Sequence, residues 1–517
     1  MKVCLINPSR LMKPLSATMK PSPPLGLAFI AAVLKQLGHT VQVIDAMAEG
    51  ADQYVAFKND IVLNGLTEKQ VAARIQPDTD VIGFSLMFSG NWLHHRILIN
   101  YIGEQFPNAL LIAGGEHVTA VPEFCMQQTT RLNVCILGEG EDTVARLFTV
   151  LNDQRDLDEV PGIAYRSANG QFKRTPTKER IRELESIPWP AWEYFPLEKY
   201  KEHGITLGVE QESVSFPVLA TRGCPYECTF CSSPQMWGTR YFMRSVSDVA
   251  NEIEYLKNNY GGTNFDFYDL TAIINKRWII DFAKELINRN LNITWQIPAG
   301  TRSEAIDREV AYYLYKSGCR NITYAPESGS EAVLQHIRKK VSLPKMLTSI
   351  SYSSRERMNI KINMILGFPD EKHQHIFTTM LFLLKASWKG VNDMAPSVFS
   401  PYPGSALFKR LEEEGKIDLN NDEYFYQIIY VDTFFSNSFY NTRISKHLLR
   451  FYLLSYLFIF YSSNFLFHPT RLYRTLRNVL TNRFESRGEM ALGELIKRSK
   501  IRVLNEEQLA PQEVPQV

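Results

Sequence analysis

Between Cys224 and Cys231 the sequence reads CPYECTFC, a C-x3-C-x2-C array in a chain of 517 residues that has only seven cysteines. Thiolates gathered this closely bind zinc or an iron-sulfur cluster. A structural zinc site closes with four protein ligands, and the one other cysteine in this half of the chain is Cys319. Three thiolates suit a 4Fe-4S cluster with one iron left open, and an open iron can chelate a small molecule and pass an electron to it. A zinc loop completed by a distant histidine or by Cys319 is the competing reading. Cys4, Cys125, Cys135 and Cys319 read as small buried apolar residues.

A reactive loop needs elements to hold it. From residue 216 six strand-like runs, FPVLATRG, FDFYDL, ITWQIPAG, NITYAPESG, INMILGFP and MAPSVFSPYPG, alternate with helical stretches such as VSDVANEIEYLKNN and KRWIIDFAKELINRN. Six strand-helix units running one way predict a partial, open form of the parallel α/β barrel, whose chemistry sits at the carboxyl ends of its strands. The cysteines follow the first of these strands directly. Ahead of them VCLIN, VQVID, VIGFSL, ALLIAGG and VCILGEG predict a five-stranded, doubly wound parallel sheet of Rossmann-like type. Its ligands are expected beyond the strand ends, at Asn7-Pro8, Asp45, Ser85, Gly114 to His117 and Gly138 to Glu141. No G-x-G-x-x-G follows the first strand, which disfavours a dinucleotide. The expected division is a first domain over 1–155, a linker rich in Pro and Trp over 156–210, the partial barrel over 211–415 and a helical region over 416–517. That last region ends in a polar tail, LNEEQLAPQEVPQV, expected to be disordered.

With 45% apolar and 22% charged residues and a formal charge of +2, the chain reads as globular and acting on a small molecule, with no nucleic-acid partner. Clustered cysteines and an opening, MKVCLINPSR, without a signal-peptide run lead to an expected cytoplasmic location. The stretch 451–467, FYLLSYLFIFYSSNFLF, has no charged residue but is shorter than the ~20 residues a bilayer span needs. Two readings stand for it. One is a core helix packed over the barrel mouth. The other is an interfacial segment, flanked by Arg443, Lys446, Arg450, Arg471, Arg474 and Arg477, that makes peripheral membrane contact and admits a lipid-like substrate.

TRGCPYECTFC, with Phe230 before the last cysteine, resembles the radical S-adenosylmethionine (SAM) enzymes. ESGS at Glu327 to Ser330, GFPDE at Gly367 to Glu371, PYPGS at Pro401 to Ser405 and the position of Arg244 fit the same family. A doubly wound domain, a linker and then the cysteine loop, together with PPLGLAFIAAVLKQLGHTVQVIDA, GGEHVT and GEGED, resembles its cobalamin-binding subclass over residues 1 to 415. That group contains the anaerobic magnesium-protoporphyrin ester cyclase and many methylases. The resemblance implies that Cys224, Cys228 and Cys231 hold a 4Fe-4S cluster and that SAM meets its free iron, with Phe230, Asp269, Glu327, Ser328 and Gly367 around it. It implies a 5'-deoxyadenosyl radical, formed with an electron from a donor such as flavodoxin or ferredoxin. It further implies a cobalamin site lined by Asn7, Ser85, Gly114, Gly115, His117, Gly138, Glu139 and Gly140. Methyl transfer to an unactivated carbon of a small-molecule or lipid-like substrate is the expected reaction. Oxidative cyclisation or rearrangement comes second, and a non-enzymatic cobalamin sensor third.

Two departures qualify the pattern. Asp45 is followed by AMAEG in place of the D-x-H-x-x-G signature, so cobalt is expected to lack a protein histidine on its lower face, and His117 is expected to be a hydrogen-bonded structural residue. Tyr268-Asp269-Leu270 carries one acid where close relatives often carry two, leaving Asp269 as SAM ligand or strand-end cap. Glu139 and Glu141 either shape the cofactor pocket or cap the following helix.

Overall fold

Short, largely apolar runs between turn residues make the strands, and here they build two mainly parallel sheets. The computed structural model describes residues 1–13, 22–58, 60–203, 214–429, 438–481, 483–497 and 503–504. In the first sheet β1 (Lys2–Asn7), β2 (Thr40–Asp45), β3 (Val81–Ser85), β4 (Leu110–Gly114) and β5 (Val134–Ile136) are parallel in the spatial order 2-1-3-4-5. The winding direction reverses between β1 and β3, so their carboxyl ends flank a crevice.

This sheet has seven strands, two more than the sequence led us to expect. β6 (Ile163–Arg166) and β7 (Phe172–Arg174) extend it antiparallel beyond β5, inside the stretch expected to be a linker. Their hairpin turns at Asn169-Gly170, with Gly170 at a φ of 79°. An Asn-Gly pair is a hairpin signal, hidden here by strands too short to show a period. Also unforeseen is a small antiparallel sheet of Arg10–Met12, Ile61–Asn64 and Tyr54–Lys58, to which Leu504 adds a bridge at Val55. The tail beyond Leu504 and the expected end of the linker, 204–210, lie outside the described residues.

Short helix α1 (Glu116–Ala120) follows β4, and α2 (Ser233–Trp237) follows the cysteine loop. The second sheet consists of β8 (Ser215–Val218), β9 (Asn264–Phe267), β10 (Thr294–Thr301), β11 (Cys319–Glu327), β12 (Asn359–Leu366) and β13 (Asp393–Val398). All are parallel and stand in chain order, the open six-stranded arc expected from the sequence. Helix α3 (His373–Lys389) returns the chain from β12 to β13. Beyond the arc, α4 (Lys446–Phe467) packs along α3 and β13, and α5 (Pro469–Thr481) follows it. Asn464 Nδ2 donates to the Val391 carbonyl at 2.5 Å and the Tyr461 hydroxyl to Asp393 Oδ1 at 2.6 Å. These bonds cover an exposed strand edge that would otherwise invite pairing with another chain. α4 therefore lies along the side of the barrel, and its Leu449 packs against Gly367 at the mouth. Among the described residues no helix is long and apolar enough to cross a membrane.

Candidate active site at the meeting of two sheets

After β8 the chain passes through Thr221–Arg222, paired antiparallel with Phe242–Met243, and enters the cysteine loop. The loop is pinned from three directions: Cys231 N donates to Cys228 O (3.0 Å), Thr229 N to Ile337 O (3.0 Å) and Leu407 N to Thr229 O (2.8 Å). Cys224, Cys228 and Cys231 are half-buried, whereas the other four cysteines are fully buried, as expected. Cys319 opens β11 at the amino edge of the sheet, a strand length away from the loop, so it cannot close a zinc site there. Burial pushes the Cys228 thiol up to about 11 against the pull of Lys339. Burial also raises Cys231, whose Sγ lies 3.2 Å from Ser233 Oγ. Such thiols ionise readily only when a metal takes the charge. Among the described residues no three His, Cys, Asp or Glu side chains converge on one point, as ligands of a single ion must. A cluster asks instead for one thiolate per iron, spread over separate corners, and an open loop of three cysteines fits that demand.

Phe230 faces Phe368 at 5.8 Å between ring centroids, and Lys339 Nζ stands 5.9 Å from the Phe230 ring. Glu327, at the end of β11 with a φ of 63°, receives Lys339 Nζ at 2.8 Å. Ser328 is turned toward α3, its hydroxyl 3.2 Å from Thr379 Oγ1 and accepting from Ser330 N. Asp269 is buried beneath the loop, where it accepts from the Thr221 hydroxyl and from Ala220 N at 3.3 Å. These bonds tie it to the turn after β8, and burial pushes its carboxyl up to about 6. Gly367, at a φ of 85°, donates its amide to Glu371 Oε2 at 2.6 Å. Arg244 ties the helix Val246–Tyr260 to the end of β8 through Asp248 (2.6 Å), Glu252 and the Leu219 carbonyl (3.1 Å).

At the edge of the first sheet Asn7 Nδ2 donates to Asp45 Oδ1 at 2.8 Å, and Asp45 also takes the Tyr200 hydroxyl. Gly115 cannot carry a side chain, having a φ of 119° and a Cβ position 2.7 Å from the Leu86 carbonyl, whereas a Cβ on Gly114 would make only ordinary contact with Ile136 at 3.7 Å. Beyond Ser85, Met87 is 39% and Phe88 71% exposed, leaving apolar surface uncovered where the strand order reverses. A flat macrocycle would cover it. His117 is buried, with Nδ1 2.9 Å from Ser89 Oγ and its ring 4.9 Å from Trp92; burial lowers its pKa to about 3. Its Nε2 is buried without a hydrogen-bond partner among the described residues.

Glu139 and Glu141 do something the sequence reading missed. Neither caps the helix Gly140–Asn152. Glu139 pairs with Arg180 (2.7 Å) and Arg222 (3.4 Å), and Glu141 with Arg222 (2.6 Å), all with side chains at most 15% exposed. Burial pushes Glu141 up, but Arg222 outweighs it and holds the carboxyl below its usual range. Arg222 stands two residues before Cys224, so this buried network fastens the first sheet to the base of the cysteine loop. A buried arginine is costly without carboxylates, and two glutamates after an apolar run were the available signal for it.

The two sheets meet at their carboxyl edges. Ser232 donates its hydroxyl to Glu116, and Gln235 Nε2 donates to the Ala120 carbonyl at 3.3 Å. A Cβ on Gly404, after β13, would meet Gln235 and Ala120, and one on Gly138, after β5, would lie 3.5 Å from the Met236 carbonyl.

Comparison with known families agrees with this geometry. The B12 binding domain family matches residues 18–148 and the radical SAM superfamily residues 218–383. The chain carries a B12-binding domain and a radical SAM domain. Gly114 and Gly115 lie in the first match and the cysteine loop in the second, while the hairpin of β6 and β7 lies in neither. An uncharacterized methyltransferase of Pyrococcus horikoshii is 28% identical over 415 residues, covering 79% of this chain and 83% of that one. Cytidylyl-2-hydroxyethylphosphonate methyltransferase of Streptomyces wedmorensis is 29% identical over 466 residues, 83% of this chain and 84% of that one. The anaerobic magnesium-protoporphyrin IX monomethyl ester cyclase of Rubrivivax gelatinosus is 26% identical over 401 residues, 76% and 67%. The solved structure of the cobalamin-dependent SAM radical enzyme OxsB, with aqua-cobalamin and SAM bound, shares the fold at a TM-score of 0.66 and 15% identity, over 96% of this chain and 75% of that one. That coverage reaches into the helical region after the barrel.

Proposed function

We propose that this protein is a cobalamin-dependent radical SAM methyltransferase that adds a methyl group to an unactivated carbon of a small molecule. The observation that carries the reading is the contact of Glu116 with Ser232, one residue past Cys231, which sets both strand-end edges around one space. In that space cobalamin would supply methyl transfer, and the cluster with SAM would supply hydrogen abstraction. Cys224, Cys228 and Cys231 would hold the cluster. Glu327 and Lys339 would offer paired charges to the polar end of SAM, Phe230 bounding it on one side and Gly367 forming part of the wall. Gly114, Gly115, Met87 and Phe88 would seat the corrin, bordered by Asn7, Ser85, Gly138 and Gly140. Asp269 and Ser328 would support this shell from behind, and Glu139 would fasten it to the barrel. His117, held by Ser89, would leave cobalt without an imidazole. An electron donor of the flavodoxin or ferredoxin kind would feed the cluster.

The test is anaerobic turnover of reconstituted protein with cobalamin, a low-potential reductant, candidate substrates and SAM labelled on its methyl group. Methyl transfer gives a labelled product with equal amounts of S-adenosylhomocysteine and 5'-deoxyadenosine. Deoxyadenosine with a turned-over but unlabelled substrate would move the assignment to oxidative cyclisation or rearrangement.

A further inference from the structure

A surface helix of a folded protein turns its apolar stripe inward and its charges outward. Helix α5 does the reverse. Its Leu472, Tyr473, Leu476 and Leu480 are exposed, Leu480 to 81%. Three of its polar residues face the protein: Asn478 is buried against Glu489, Thr475 donates to Glu489 at 3.0 Å, and Arg471 donates to the carbonyls of Gly390 (2.9 Å) and Val391 (2.7 Å).

The neighbouring helices continue the pattern. On α4 the positions 451, 454, 458 and 466 form one stripe at helical spacing, and Phe458 and Leu466 on it are 74% and 76% exposed. On α3 the exposed Phe377, Leu381, Leu384 and Trp388 form another. The stripes adjoin along the line where α3 and α4 pack, with Phe377 6.0 Å from Tyr452 at one end and Trp388 5.0 Å from Phe467 at the other. Exposed apolar stripes on α3 and α4, with a third on the helix that follows, mark an interaction site.

Charge identifies the occupant. The whole chain is nearly balanced, with 57 Lys and Arg against 55 Asp and Glu. α3, α4 and α5 contain no Asp or Glu; with Arg471 turned onto the barrel carbonyls and Arg474 paired with Glu485 at 3.1 Å, the cations they carry besides these are Lys385, Lys389, Lys446, Arg450 and Arg477. A second copy of this chain docked on the same face would set cations against cations, since a two-fold interface pairs a patch with itself. An anionic lipid surface accepts the leucines and aromatics among its acyl chains and the cations among its headgroups.

We propose that α3, α4 and α5 form a docking face for an anionic lipid bilayer, on which the protein lies without spanning it. The experiment is flotation of the full-length protein with vesicles of phosphatidylcholine containing about a third phosphatidylglycerol, and with phosphatidylcholine alone. The protein is expected to float with the anionic vesicles and to be released about tenfold by molar salt. Phe458→Glu with Leu480→Glu, both on exposed positions, should lower binding at least about tenfold with the melting temperature unchanged. Lys385→Ser with Arg477→Ser should lower it less and remove the preference for anionic lipid. Failure of the wild type to float overturns the proposal, as does undiminished flotation of both variant pairs. A dimer seen by sedimentation that the glutamate variant dissolves, with no vesicle binding, would give the face to a second copy instead.

Discussion

In the proposed site each cysteine of the loop would hold one corner of the cluster, with no fourth thiol to replace it, since Cys319 sits at the far edge of the barrel. Cys224→Ala, Cys228→Ala or Cys231→Ala should therefore each take anaerobically reconstituted protein from about four irons to near none, read by iron analysis and absorbance. A second residue-scale effect comes from Glu371. Burial pushes its carboxyl up to about 7, with the Gly367 and Phe368 amides opposing, and its Oε1 is buried without a partner. The folded state then holds a proton that the unfolded chain releases near pH 4.5, so this carboxyl's contribution to stability falls as pH rises from 4.5 through 7 and is level above that. Glu371→Gln cannot ionise. Its melting temperature should gain on the wild type between pH 5 and pH 8, by a difference worth up to about 3 kcal/mol. Residue types were legible where the chemistry is local, as in the cysteine array and the missing histidine after Asp45. They were not legible where a partner lies far away in sequence: Glu139 waits for Arg180 and Arg222, and Ser328 for Thr379.

Among elements, the weight falls on the buried network between the loop after β5 and the strand that leads into the cysteines. Arg222 is 4% exposed and answers both Glu139 and Glu141, so Arg222→Ala leaves two carboxylates buried without it. Removing one partner of a buried pair costs about 3–5 kcal/mol, and denaturant unfolding should show a loss of that order. Arg222→Met combined with Glu141→Gln should recover much of it, because the burial penalty goes with the charge. A loss below about 1 kcal/mol for Arg222→Ala would show that the network is hydrated in solution. All six barrel strands and the five parallel strands of the first sheet were readable, because buried parallel strands are continuous apolar runs. The hairpin of β6 and β7 was not, since IAYR and FKR are short and partly charged.

For the molecule as a whole, the shared wall at Glu116, Ser232, Ala120 and Gln235 makes a prediction about linkage between domains. A ligand that binds only the folded state stabilises what it touches, by about 2.7 kcal/mol at a hundredfold excess over Kd. Cobalamin added anaerobically should slow hydrogen exchange in the loop after β3 and in α1, and also in α2 of the other domain. Protection confined to residues before 150 would mean that the two edges part in solution. The domain order was legible from the sequence, but this contact was not, because nothing in a short polar stretch such as SSPQ names the surface it will meet.

The bonds that the region after the barrel makes to the loops beside β12 and β13 bear on how the chain comes to be folded at all. Carbonyls of Phe368, Gly390 and Val391, all within the barrel, are satisfied by Asn441, Arg471 and Asn464. Those donors are synthesised after every strand of the barrel. The nascent barrel must therefore wait on the ribosome with its final strand unsheathed until residues past 470 emerge. A gene cut at residue 415, where the catalytic motifs end, should yield inclusion bodies. Asn441, Asn464 and Arg471 tie the segments that carry them to the folding unit of the barrel as firmly as its own strands.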